Sequence, residues 1–566
     1  MHSKRLLCIT ASAVGLLSPL LFSQTSPGVS SLPVGPYQIV VPSQPNQCID
    51  VAGPSLANGA GVQIWTCGGP RASNQVWTLN PISTPRGVGY QIVVANSSKC
   101  LDVSNVSVND GASIHQWQCI GSKQTNQIWQ PIQVGSTFEL ISLNSGKCLD
   151  LPSGSAANGQ ALQQWACGNG QNPNQLWRLA PLTAPAAIVP TDGIPASYFG
   201  MTVLDFRNVT PPISYGTTRT WDSYPYLDWA EANPLPGVYN FTWLDAFLAK
   251  NAAQGRDVIY TFGRTPQWAS SNPGAPTPYG PGQCAPPADL KTWTDYVTAV
   301  VSHAGGRIHY WELWNEPQDP QFYCGDIPTM IKMASEAYSV IKQIDPSAQV
   351  LAPSVTSTAG PGWLSTYLAG GGGQFADIMT FHGYWSTKAE DILTVASSYR
   401  TVLANAGQDK KPLWDTEASW AGDPSHLLYG DDARAAFVAK YYLLQWSAGV
   451  SRFIWYGYDA GDLGGLYSSA TGPQGGSFAY DTMRQWMLGA SLTQPCSKDA
   501  SGTWRCELSR AGGYRAEVVW NSGQSLNYAV SPNFHQQRSL GNTISGTGPN
   551  VQISNSPILL ESGSAF

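Results

Sequence analysis

From about residue 196 to 490, apolar strand-like segments alternate with longer stretches of helical period. The strand candidates are YFGMTVLDF, YGTTRTW, DVIYTFGRTPQWA, RIHYWELWNEP, AQVLAPSV, DIMTFHGYW, KPLWDTEASW and RFIWYGYDA. Between several of them DLKTWTDYVTAVVSHAG, PTMIKMASEAYSVIKQI and DARAAFVAKYYLLQWSAG read as helices. Eight strands with helical crossovers over roughly 290 residues predict a (β/α)8 TIM barrel, whose chemistry sits at the C-terminal strand ends.

The pattern differs on either side. Residues 35–181 hold short alternating segments between Gly, Asn and Ser turns, and one phrase occurs three times: CIDVAGPSLANGAGVQIWTC, CLDVSNVSVNDGASIHQWQC and CLDLPSGSAANGQALQQWAC, each followed by NQVW, NQIW or NQLW. A repeat of about 50 residues predicts a pseudo-threefold β unit with a shared core. The equal cysteine spacing suggests the pairs Cys48–Cys67, Cys100–Cys119 and Cys148–Cys167. Residues 182–195 are Pro- and Ala-rich and read as a linker. From 491 to 566 the helical pattern ceases, and short alternating strands predict a small C-terminal β-sandwich, stapled by Cys496–Cys506. The chain is therefore expected to be multidomain: trefoil-like unit, TIM barrel, β-sandwich.

Residues 1–30 begin with a basic, then apolar run and read as a cleaved signal peptide, which implies a secreted protein, extracellular or periplasmic, with no membrane span after cleavage. Of 11 cysteines only Cys8 lies in that leader, and an even number in an oxidising compartment favours disulfides, with Cys284–Cys324 bridging loops after the third and fourth strands. Charged residues are 12% of the chain and aromatics 11%, with 22 Trp and 25 Tyr, and the formal net charge is −6. Flat rings with little charge suit sugars; without a basic patch, nucleic acid is not an expected partner.

The candidate chemistry lies in two strand ends. In WELWNEPQD, alternation puts Glu312, Trp314 and Glu316 on one side of the fourth strand and Trp311, Leu313 and Asn315 on the other, with Pro317 breaking the strand. Glu316 is then at the barrel mouth and Glu312 deeper, as a hydrogen-bonded structural carboxylate. In KPLWDTEASW the terminal carboxylate is Glu417, with Asp415 one inward step below. Two carboxylates facing across a barrel mouth suit glycosidic bond cleavage, one as acid and the other as nucleophile or base. No His/Asp/Cys cluster has metal-ligand spacing, and neither a metal nor another cofactor is expected.

WNEP ending strand four, with GRTPQWAS, FHGYW and WDTEASW, resembles the retaining clan A glycoside hydrolases, most closely family 39. The resemblance implies Glu316 as general acid/base, Glu417 as nucleophile and Asn315 on the sugar 2-hydroxyl. It also implies that Arg219 and His382 orient or ionise Glu417 and that Trp455 floors the site. From their positions at strand ends, Trp268 and Trp385 are expected among the substrate-binding rings. Glu316 is expected neutral through desolvation and Glu417 ionised beside Arg219. The triple repeat resembles the ricin B type lectin domain, a β-trefoil also known as the family 13 carbohydrate-binding module. It implies three sugar pockets: Asp50, Gln63, Trp65 and Asn74; Asp102, His115, Trp117 and Asn126; Asp150, Gln163, Trp165 and Asn174. Trp77, Trp129 and Trp177 are expected in the core, with Gln75, Gln127 and Gln175 behind the pockets. The expectation is a secreted retaining glycosidase tethered to a plant or microbial polysaccharide or oligosaccharide; the alternatives are a non-catalytic carbohydrate-binding protein or a transglycosylase using the same carboxylates.

Overall fold

The structure, a computed structural model, describes residues 36–68, 72–84, 87–182, 193–356, 359–384, 387–420 and 427–563. The expected signal peptide, most of the linker and Trp385 lie outside the described residues.

Residues 36–181 form a twelve-stranded antiparallel β-trefoil. Its threefold repeat is visible bond by bond. Trp77, Trp129 and Trp177 are fully buried, and their indole N–H groups donate to the carbonyls of Ile49, Leu101 and Leu149 at 3.1, 2.9 and 3.0 Å. Each repeat is tied to a neighbour by backbone bonds such as Gln116 N–H to Ala60 O and Ile64 N–H to Gln160 O. The three expected disulfides are present, each spanning a sequence separation of 19. In the loop-entropy account each is worth about 3 kcal/mol.

The barrel strands are β1 (Phe199–Met201), β2 (Thr217–Arg219), β3 (Asp257–Thr261), β4 (Tyr310–Glu312), β5 (Gln349–Leu351), β6 (Met379–His382), β7 (Leu413–Ala418) and β8 (Val450–Trp455). They pair in parallel in the order β5-β4-β3-β2-β1-β8-β7-β6, and the bridges Leu351↔Ile378 and Val355↔Phe381 link the two ends. Helices α1 (Thr242–Ala252), α2 (Leu290–Ala304), α3 (Ile327–Ile344), α4 (Gly360–Ala369), α5 (Ile392–Asn405), α6 (Asp431–Ser447) and α7 (Gly475–Met487) follow β2 to β8 in turn. No helix lies between β1 and β2, so that crossover is a loop. Asp289 and Asp326 cap α2 and α3 by accepting from Lys291 and Thr329 amides. No helix among the described residues is long and apolar enough to cross a membrane.

The trefoil packs on α4: a Cβ on Gly362 would overlap the Ser98 hydroxyl, so only glycine permits this approach. The C-terminal strands form a seven-stranded sheet and a two-stranded sheet, with Val519, Tyr528, Val551, Ile553 and Leu560 buried together. Arg510 fixes this β-rich region to the barrel by donating to the carbonyls of Gln485, Trp486 and Leu488 at the end of α7, where the helix dipole favours a cation. The Cys284–Cys324 and Cys496–Cys506 bridges are both formed.

Candidate active site and sugar-binding sites

Arg219, at the end of β2, organises the barrel mouth. It is fully buried. Its Nε donates to Glu312 Oε2 at 2.7 Å, its NH1 meets Glu417 Oε2 at 2.5 Å, and its NH2 donates to Asn315 Oδ1 at 2.8 Å. Burial alone would lower its pKa, but the Glu312 and Glu417 charges reverse that and raise it. Glu312 is completed by the hydroxyls of Thr261 and Thr416 at 2.8 and 2.6 Å, so every oxygen is occupied inside the barrel and none faces a substrate.

The alternation expected at the two strand ends is broken in the structure. Regular β4 ends at Glu312, and Glu316 takes a left-handed φ of 43°. As a result Asn315 joins Glu312 and Glu316 at the site, whereas Trp314 leaves their side and packs on Trp293 and Tyr323. In β7 the register shifts between Asp415 and Ala418. Asp415 therefore turns to Gln445 of α6 and accepts the amides of Gly383 and Glu417, while Thr416 and Glu417 both face the interior. Irregular turns and bulges at barrel rims re-aim side chains in this way.

These distortions bring the expected carboxylates together. One oxygen of Glu316, one of Glu417 and a ring nitrogen of His382 lie within 4.8 Å of one another. The same trio is the one grouping among the described residues that could surround a cation, but the Arg219 charge bound to Glu417 opposes a second positive charge. Tyr384 donates to Glu417 Oε1 at 3.1 Å, so Arg219 and Tyr384 each hold one of its oxygens. Because Asn315 Oδ1 faces the guanidinium, its amide NH2 is the group left for a ligand hydroxyl.

His382 differs from expectation. Its Nδ1 lies 2.6 Å from Glu316 Oε1, so it acts on Glu316 instead of Glu417. Its Nε2 is buried without a partner among the described residues. A buried N–H left unbonded is the costlier arrangement, which assigns the proton to Nδ1, donating to Glu316. Burial pushes the His382 pKa down to about 4, so the ring is neutral near pH 7. Burial pushes Glu316 up to about 8, against the pull of Arg219. Burial also pushes Glu417 up to about 7, against His382 and Arg219. Since the imidazole is uncharged there, the opposing charge at neutral pH is that of Arg219. The expected order, Glu316 the weaker acid, is kept, but Glu417 is not held in the ordinary carboxylate range.

Trp455 is fully buried against Trp420, Phe437 and Tyr442, with its N–H on Gly464 O, which places it in the core and not on an open floor. Trp268 is half-buried and donates to Asn233 O. A residue outside the expected set completes the rim: Asp222, three positions beyond Arg219, has a left-handed φ of 59° and accepts the hydroxyls of Tyr279 and Tyr456 at 2.9 and 3.0 Å. The carboxylate at the end of TTRTWD was the available sequence signal.

In the trefoil, Asp50 accepts from Gln63, Asn74 and Gln75 at 3.0, 2.7 and 3.0 Å. Asp102 repeats the arrangement with Asn126 and Gln127 and with His115, whose ring stacks on Trp117 at 5.4 Å. Asp150 accepts from Gln163 and Gln175, but no hydrogen bond links it to Asn174, whose side chain lies against Gly154. Its pocket thus keeps one more acceptor position open. Trp65, Trp117 and Trp165 stand exposed beside these carboxylates.

Residues 36–177 match the ricin-type β-trefoil lectin domain. The trefoil that matches this family is joined to a barrel with the fold of glycoside hydrolases. A 234-residue stretch of the chain is 24% identical to a beta-xylosidase of Geobacillus stearothermophilus, covering 36% of this chain and 45% of that protein, so the chain spans less than half the length of this relative. Over 81% of this chain and 93% of the other, the fold matches a family 39 glycoside hydrolase from the gut symbiont Bacteroides cellulosilyticus at 16% identity and a TM-score of 0.50.

Proposed function

We propose that the protein is a secreted retaining glycoside hydrolase held on its glycan by the lectin domain, with functional units at residues 35–181, 196–490 and 491–566. The observation that carries this reading is the approach of Glu316 and Glu417 oxygens to within 4.8 Å, close to the roughly 5–5.5 Å carboxyl separation of double-displacement enzymes. Glu316, protonated because it is buried, gives its proton to the glycosidic oxygen as the bond to the anomeric carbon breaks. Glu417 attacks that carbon and forms a sugar ester. Glu316, now ionised and steadied by the His382 N–H, takes a proton from water, which attacks the same carbon and releases Glu417. The Asn315 amide is placed to hold a sugar hydroxyl. Asp222, Glu316 and Glu417 surround the cleft, and the buried guanidinium of Arg219 is already held by Glu312 and Glu417 and that of Arg264 by Asp228, so a neutral sugar suits it better than a uronate. The five disulfides agree with an oxidising compartment. A panel of nitrophenyl glycosides, followed by inactivation with the 2-deoxy-2-fluoro analogue of the best substrate, tests this reading: the label is expected on Glu417, and label on another residue would reject the assignment.

A further inference from the structure

We propose that the loop after β2 and the first turn of α1 form a second sugar-binding pocket, which holds a neutral glycan chain extending from the carboxylate cleft. The continuity with the cleft rests on the glycosidase reading; the pocket itself does not. Among the described residues four tryptophans are exposed: Trp65 at 45%, Trp117 at 39%, Trp165 at 44% and Trp243 at 41%. The first three are the lectin rings. Trp243 is on the barrel, in α1.

It borders a depression of about 380 Å³, within the range of small-ligand sites, lined also by Tyr224, Tyr226, Glu231 and Asn240. The composition repeats that of a trefoil pocket: a ring for the C–H face of a sugar, a carboxylate as acceptor, and an amide. Glu231 is exposed and has no hydrogen-bond partner among the described residues. The Arg207 guanidinium lies 5.0 Å from the Tyr224 ring and 5.1 Å from the Trp243 ring, which holds both aromatic groups in place before a ligand arrives.

The pocket lies on the catalytic side, because the loop 220–241 leaves the C-terminal end of β2 and leads into the first turn of α1. An aromatic path leads inward. Tyr224 meets Tyr226 at 5.8 Å, Tyr226 meets Tyr279 at 6.1 Å, and the Tyr279 hydroxyl donates to Asp222 at the cleft. Arg264, stacked 4.1 Å from Tyr226 and 4.3 Å from Tyr279, fixes the middle of this path. A chain bound along it would present one of its glycosidic bonds to the carboxylate pair.

The test uses the full chain with Trp65, Trp117 and Trp165 replaced by Ala, to silence the lectin domain, and with Glu417→Gln, to prevent turnover. Binding to arrayed neutral glycans, and then titration with the oligosaccharide series of the best binder from disaccharide to hexasaccharide, is compared with and without Trp243→Ala. The expected result is affinity that rises with chain length and falls about tenfold for the longest chain on Trp243→Ala, with Trp243→Phe restoring most of it. No glycan binding by the lectin-silenced protein, or affinity that Trp243→Ala leaves unchanged at every length, would overturn the pocket. Turnover of nitrophenyl glycosides by the unmodified protein is measured alongside: its absence counts against the glycosidase reading and leaves the binding result to stand on its own.

Discussion

Asp50 in the trefoil and Glu417 in the barrel are both buried carboxylates with every local hydrogen bond arranged around them, yet their partners differ in kind. Asp50 is held by neutral amides from Gln63, Asn74 and Gln75 beside the exposed Trp65. Glu417 is held by the Arg219 guanidinium and the Tyr384 hydroxyl. Amides fix a carboxylate as a permanent acceptor for hydroxyls, at modest cost and with modest affinity. A guanidinium in a buried site instead favours the charged form of a carboxylate that burial would otherwise protonate, so the two effects oppose each other at Glu417. Threefold repetition compensates for weak pockets through avidity, whereas one strongly coupled site needs no copy.

Substitutions should separate the two regions sharply. The largest effect is expected for Glu417→Ala, which should lower kcat on an aryl glycoside by about 10⁴-fold while leaving glycan retention by the lectin domain intact; added azide should restore turnover and release a glycosyl azide of inverted configuration. Arg219→Leu comes next. It leaves the buried Glu312 and Glu417 charges uncompensated and should cost about 3–5 kcal/mol of barrel stability, read as a lower thermal midpoint, with the trefoil unaffected. The pH profile is a gentler probe. Activity needs Glu417 ionised and Glu316 protonated, so kcat/KM should fall below about 7 and again above about 8, a narrow bell whose limbs belong to the coupled pair. Glycan retention by the trefoil should be flat over the same interval. The smallest effect is expected for Trp165→Ala, about 1 kcal/mol on polymer retention and none on the aryl glycoside rate. A loss of aryl glycoside activity in that variant would erase the contrast.

The trefoil was legible almost to the residue because its signal is repeated: three copies of one phrase fix which tryptophan is core, which is exposed and which cysteines pair. Asn174 alone departs: its side chain lies against Gly154 and its backbone amide donates to Asn172 Oδ1, a side-chain cap that the sister repeats lack. The barrel strands were equally legible from apolar runs, and the carboxylate pair from its strand-end positions. The surroundings of the pair were not. A period of two describes a regular strand, and the chain abandons that period at Glu316 and in the Asp415–Ala418 bulge, where side-chain direction decides function. This is why Asp415 and Trp314 face away from the site while Asn315 faces it. His382 was placed at the correct rim, but its choice of Glu316 over Glu417 depends on distances that strand order does not set. Asp222 required knowing that the loops carrying Tyr279 and Tyr456 converge on it.

The central claim is that Glu316 and Glu417 cleave a glycosidic bond by two successive displacements at one carbon. Proton NMR of the sugar released in the first minutes of hydrolysis reads this directly, before mutarotation mixes the anomers. The account predicts the same anomer as the substrate; initial release of the opposite anomer would contradict it.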